Sequence, residues 1–97
     1  MRLPIMVTAL VLAGAPAFAQ APEGALLAGA CQGCHGVTGE GGHGIPSIKQ
    51  TQTREDFIKM MRAFRANEVP NTVMGRITRG YTDAEVAALA AHFARNQ

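Results

Sequence analysis

A chain of 97 residues, 47% hydrophobic and 16% charged, has room for one small domain with little core of its own. Nine lysines and arginines against seven aspartates and glutamates leave a net charge of +2, with no polybasic run, low-complexity tract or internal repeat, so neither nucleic acid nor an anionic membrane is implied as a partner. The only two cysteines stand three positions apart, which leaves none for a disulfide framework.

Residues 1–19 read as a secretory signal peptide. Arg2 supplies a minimal positive start, Leu3 to Ala13 is an apolar run too short to span a membrane, and Ala17-Phe18-Ala19 is a small-x-small cleavage site. Cleavage after Ala19 predicts an exported, periplasmic protein beginning at Gln20, against the competing reading of an uncleaved anchor. The remaining 78 residues, 20–97, form one domain carrying eight basic and seven acidic side chains, a net of +1.

Ala21 to Cys34 predicts a helix, with Pro22 suited to the first turn, Glu23 favourable near the positive end of the dipole, and Leu27, Cys31 and Cys34 on one face. The helix delivers Cys31-Gln32-Gly33-Cys34-His35. Steps of three and four residues put both thiols and the imidazole on neighbouring points of one helical face, where one flat ligand can meet all three. This is the pattern of a c-type haem attachment site: each thiol forms a thioether with one haem vinyl group, and His35 reaches the iron as proximal ligand. A thioredoxin-type redox pair would sit near a βαβ pattern that the sequence lacks. A closed zinc site wants four ligands, and His43 and His92 show no paired spacing; a disulfide between the two cysteines would close too short a loop to stabilise much.

Five glycines between Gly36 and Gly44 mark an irregular loop, either a backbone running close to a haem edge or a flexible connector. In Ile45-Pro46-Ser47-Ile48, Pro46 is a candidate acceptor for the second ring N–H of His35, since proline offers a stiffly presented carbonyl and no N–H; a turn proline without a special partner is the alternative. Thr53 to Asn67 predicts a second helix, with Thr53-x-x-Asp56 as a capping-box variant and Phe57, Met60, Met61 and Phe64 at helical spacing, both methionines as core filler. Arg54, Lys59, Arg62 and Arg65 between them read as a docking patch for an acidic partner or as an ordinary solvated face. Glu68 to Tyr81, broken by Pro70, Asn71, Gly75 and Gly80, predicts a loop bearing Met74. This loop placement favours Met74 as the sixth iron ligand; His43, close in sequence to the motif, and His92, in a helix whose packing face is elsewhere, are the alternatives. The last helix is predicted from Asp83 to Arg95, opened by the Thr82-x-x-Glu85 capping box, with the stripe Val86, Leu89, Ala90 and Phe93 crossing the first helix near Leu27.

Taken together, a helix ending in Cys-x-x-Cys-His, a Gly/Pro loop, a central helix, a methionine segment and a C-terminal helix resemble the class I c-type cytochromes over Pro22 to Gln97. Cys31 to Gly36, Ile45 to Ile48 and above all Thr72-Val73-Met74-Gly75-Arg76-Ile77-Thr78-Arg79-Gly80-Tyr81 are similar to the cytochrome subunits of flavocytochrome c sulfide dehydrogenases. The resemblance implies an all-α fold of three to four short helices around one covalently attached haem c, with His35 and Met74 as axial ligands. It also implies one-electron transfer from a sulfide-oxidising flavoprotein subunit as partner. Such subunits can carry two haem domains, whereas this chain has a single motif, which leaves open a free periplasmic carrier of the same lineage. A haem enzyme or gas sensor with an open sixth position is the remaining reading; it would need distal acid–base groups beside Met74 that the sequence does not offer.

Overall fold

Pro22 and Glu23 lead into α1 (Gly24–Leu27), which Ala28 joins to α2 (Gly29–His35). The single helix expected here is therefore built in two pieces. Ala28 keeps helical dihedrals, but Cys31 N–H bonds back to its carbonyl at 2.9 Å in a tightened turn, and Gly29, the poorest ordinary helix former, opens the second piece. The computed structural model describes residues 22–95 together with residues 1, 3, 4, 9, 10, 13 and 14. The expected cleavage site at Ala17 to Ala19 lies outside the described residues.

The central helix, α3 (Arg54–Arg65), starts where expected: the Thr53 hydroxyl accepts the Asp56 N–H at 3.1 Å. It ends at Ala66 with Asn67 in the left-handed region, φ 56°, and Glu68 N–H returning to the Ala63 carbonyl, a C-cap that leaves Asn67 just outside the helix. The stretch expected to be wholly loop contains a helical turn, α4 (Met74–Thr78). Met74 is thus the first residue of a short helix and not a loop residue; a five-residue element is too short for a 3.6-residue period to show in the sequence. α5 (Asp83–Phe93) carries both halves of the capping box, Thr82 to Glu85 and back. It stops two residues before the expected Arg95, because Ala94 turns extended and Arg95 N–H pairs with the Gln52 carbonyl at 2.8 Å. Among the described residues there is no extended strand, only the isolated bridges Gly42 with Ile45 and Thr53 with Arg95. The fold is all-α, with the three expected helices, the first in two segments, and α4 in addition.

Val86, Leu89, Ala90 and Phe93, the whole predicted stripe of α5, are buried together with Ala28, Phe57, Met61 and Ala94. Phe57 and Phe93 stack with centroids 6.3 Å apart. α1 packs on α5 as expected, with Leu27 against this cluster. Their approach is so close that a Cβ on Gly24 would lie 2.4 Å from the Ala88 carbonyl oxygen. Met61 is core, as expected, but its neighbour Met60 is 40% exposed. One step of 100° along α3 carries Met60 out of the stripe that faces α5.

Candidate functional site

The motif helix ends by burying His35. Its Nδ1 lies 2.7 Å from the carbonyl oxygen of Pro46. A carbonyl only accepts, so Nδ1 carries the proton and the lone pair of the neutral ring sits on Nε2. The glycine loop makes this contact possible. Gly41 has φ 72°, its N–H donates to the His35 carbonyl, and a Cβ there would stand 2.5 Å from Ile45 O and 2.6 Å from Ser47 N. Only a bare backbone lets residues 45–47 fold back over it. Ile48 N–H and the Ser47 hydroxyl both donate to the Gly39 carbonyl, fastening the far end of the same segment. The loop is therefore a bonded scaffold for Pro46 and not a slack connector.

Between these elements lies a cavity of about 540 Å³. α2 contributes Ala30, Cys31, Cys34 and His35; the returning loop contributes Gly44 to Ile48. α3 turns Phe57, Met60, Met61 and Phe64 toward it, and Thr72 to Met74, Ile77 and Tyr81 complete the wall. α2 and α4 do not pack on one another, yet both line this space. Cys31 is half-buried and Cys34 exposed, and the two thiols are not joined to each other. Burial pushes the Cys31 thiol above its ordinary value, and burial is also the main reason the Tyr81 phenol is raised.

Two thiols, one imidazole lone pair and otherwise carbon- and sulfur-rich walls suit a flat, largely apolar macrocycle of haem size. Helical spacing marks the α3 wall only as core; Ile48, Ile77 and Tyr81 lie in segments that carry the resemblance, but that they and Gln52 line the cavity depends on the path of a loop or a single turn, which no local period reports. His43, exposed at a left-handed turn position with φ 53°, and His92, exposed and edge-on to Phe93, are not part of the cavity wall. Of the basic residues on α3, Arg65 is bound to Asp83 at 2.9 Å and to the Tyr81 carbonyl, so it fastens α3 to the start of α5. Lys59 and Arg62 edge a separate open groove of about 780 Å³ on α3, with Glu55 and Glu68 also on its rim. That mixture of signs around Ile58 and Ala63, without thiol or imidazole, has the character of a solvated helix face.

The family model for cytochrome c matches residues 21–95. A cytochrome subunit of sulfide dehydrogenase from Chlorobaculum tepidum is 35% identical over 71 residues, which cover 73% of this chain and 64% of that protein, so the chain spans less than two thirds of this relative's length. The thiol pair and the imidazole of a Cys-x-x-Cys-His turn thus face a haem-sized cavity inside a matching all-α fold. The chain belongs to the cytochrome c family: it is an electron-transfer protein with covalently bound haem c, for which Cys31 and Cys34 fit the attachment motif.

Proposed function

We propose that His35 and Met74 are the axial ligands of the haem iron, and that the protein works in the periplasm as electron acceptor for a sulfide-oxidising flavoprotein. The observation that carries the ligand pair is that His35 and Met74 line one cavity from two elements, α2 and α4, that do not otherwise touch. His43 and His92 lack that property. When bound, haem supplies a reversible one-electron couple at iron. The residues of the chain do the rest. Cys31 and Cys34 tether, Pro46 O fixes the orientation of His35 and raises its basicity through Nδ1–H, and Phe57, Met61 and Phe64 keep water from the cavity.

Support for the partner is the relative's identity as a subunit of sulfide dehydrogenase, together with the similarity of the segment from Thr72 to Tyr81. Arg76 and Arg79, both exposed on and just after α4, are the polar rim residues nearest in sequence to Met74. Export is supported by the signal-like first 19 residues, and no helix among the described residues is long and apolar enough to cross a membrane.

The ligation test is the Met74→Ala variant, which should lose the sulfur-to-iron charge-transfer band and become able to bind carbon monoxide when reduced. An unchanged band would reject Met74. The partner test is reduction of the purified cytochrome by sulfide-reacting flavoprotein from the same cells, slowed in a salt-sensitive way by charge reversal at Arg76 or Arg79. Rapid reduction by an unrelated periplasmic donor, with none by any such flavoprotein, would leave a free single-haem carrier in its place. N-terminal sequencing of the protein from a periplasmic fraction should begin at Gln20.

A further inference from the structure

We infer that Asn71 and Thr78 are positioning residues that grip a single peptide unit, the one joining Met74 to Gly75, and so hold the Met74 thioether toward the cavity. The inference rests on the ligand reading above. The carbonyl end of that peptide accepts from Thr78 Oγ1 at 2.8 Å, and the N–H end donates to Asn71 Oδ1 at 2.9 Å. Two side chains, Asn71 ahead of α4 and Thr78 at its last position, thus hold both ends of one rigid plane. With that plane fixed, only the dihedrals of Met74 itself remain to aim its side chain.

Three observations separate this from routine helix furniture. A threonine hydroxyl bonding back four residues is common, but this one belongs to a fully buried residue, 0% exposed, where a valine of the same shape would fill the space without the cost of burying a hydroxyl. α4 has five residues, fewer than an isolated helix needs to hold itself together, so its geometry leans on side-chain bonds and on packing against α3. The clamp is also tightly seated. Asn71 is itself anchored by its amide donating to the Val69 carbonyl at 3.0 Å, and a Cβ on Gly75 would come within 2.7 Å of Asn71 Oδ1 and 3.2 Å of Phe64 O. α4 therefore sits against the end of α3 with no slack in which the peptide could turn.

A peptide freed at either end would let Met74 draw back from the cavity as well as rotate its side chain, so the clamp bears on how readily an added ligand replaces Met74. The experiment is an imidazole titration of the oxidised holoprotein, following loss of the sulfur-to-iron charge-transfer band, in the parent, Thr78→Val, Thr78→Ser, Asn71→Ala and Met74→Ala. Removing one buried hydrogen bond should make the apparent imidazole affinity of Thr78→Val about tenfold tighter, equivalent to about 1.4 kcal/mol. Thr78→Ser, which restores the hydroxyl, should return close to the parent. Asn71→Ala, at a half-buried site, should shift the same way and carries the test should Thr78→Val not fold. A purely structural role predicts a lower melting temperature with unchanged imidazole affinity, and that result overturns the clamp while Met74→Ala still lacks the band. Retention of the band in Met74→Ala overturns the ligand reading, and the clamp with it.

Discussion

Replacing Gly41 by alanine should destabilise the protein well beyond the same change at Gly42, one residue along. Both glycines have positive φ, 72° and 133°, so each alanine carries backbone strain of about 1–3 kcal/mol. The difference lies in what the new methyl meets. At Gly42 nothing lies within 4 Å, whereas at Gly41 it would fall 2.5 Å from Ile45 O, 2.6 Å from Ser47 N and 2.7 Å from the Pro46 carbonyl carbon. These are backbone atoms, which cannot rotate aside as a side chain would, so the returning segment must shift bodily. Overpacking of this kind adds about 1–3 kcal/mol. A gap of about 2 kcal/mol between the variants corresponds to roughly 10 °C in melting temperature for a domain this small. The segment that shifts carries the carbonyl bonded to His35, so Gly41→Ala should also raise the reduction potential, as the imidazole loses the acceptor that increases its basicity. Thermal melts followed by far-UV circular dichroism and the haem band, with potentiometry on both variants, test this. The reasoning fails if Gly41→Ala and Gly42→Ala melt together and share one potential.

Leu89 is fully buried at the centre of the core, so Leu89→Ala should cost about 2–5 kcal/mol in a denaturant titration, and a near-neutral result would show that the core is centred elsewhere. Replacing both Cys31 and Cys34 by alanine should give a colourless and largely non-helical protein, since so small a domain has little other core; a cooperative, helical product would contradict the haem-centred fold. Arg65 holds the Asp83 carboxyl below its ordinary value, so the pair's stabilisation is present above the unfolded carboxylate pKa and fades as pH falls through the lower folded value, below about pH 4. Asp83→Asn should therefore be slightly less stable than the parent at neutral pH and converge with it in acid, an effect kept small by the exposure of Asp83 and diminished by salt. Curves that stay parallel through the acid range would remove Asp83 as a contributor.

The parts of this protein legible in its sequence are those encoded within one or two helical turns. The haem attachment motif occupies five consecutive residues, so its chemistry is complete before any folding is considered. The Thr82 to Glu85 box and the Val86, Leu89, Ala90, Phe93 stripe are likewise local patterns, and all of α5 except its last two expected residues follows from them. Tertiary structure decided what depends on distance through space. Whether Pro46 meets a histidine eleven residues earlier is settled by the path of the glycine loop, and that path depends on Gly41 leaving room for a backbone it does not adjoin in sequence. Met60 and Met61 share a residue type, a helix and the cavity wall, and only the packing of α5 against α3 makes Met61 core as well while Met60 stays exposed. The turn that carries Met74 is too short to have a period; Asn71 holds it from outside, Thr78 from its own last position, and α3 packs against it. Local periodicity reports which face of a helix is apolar; what that face meets is determined by the loops that bring a second element against it.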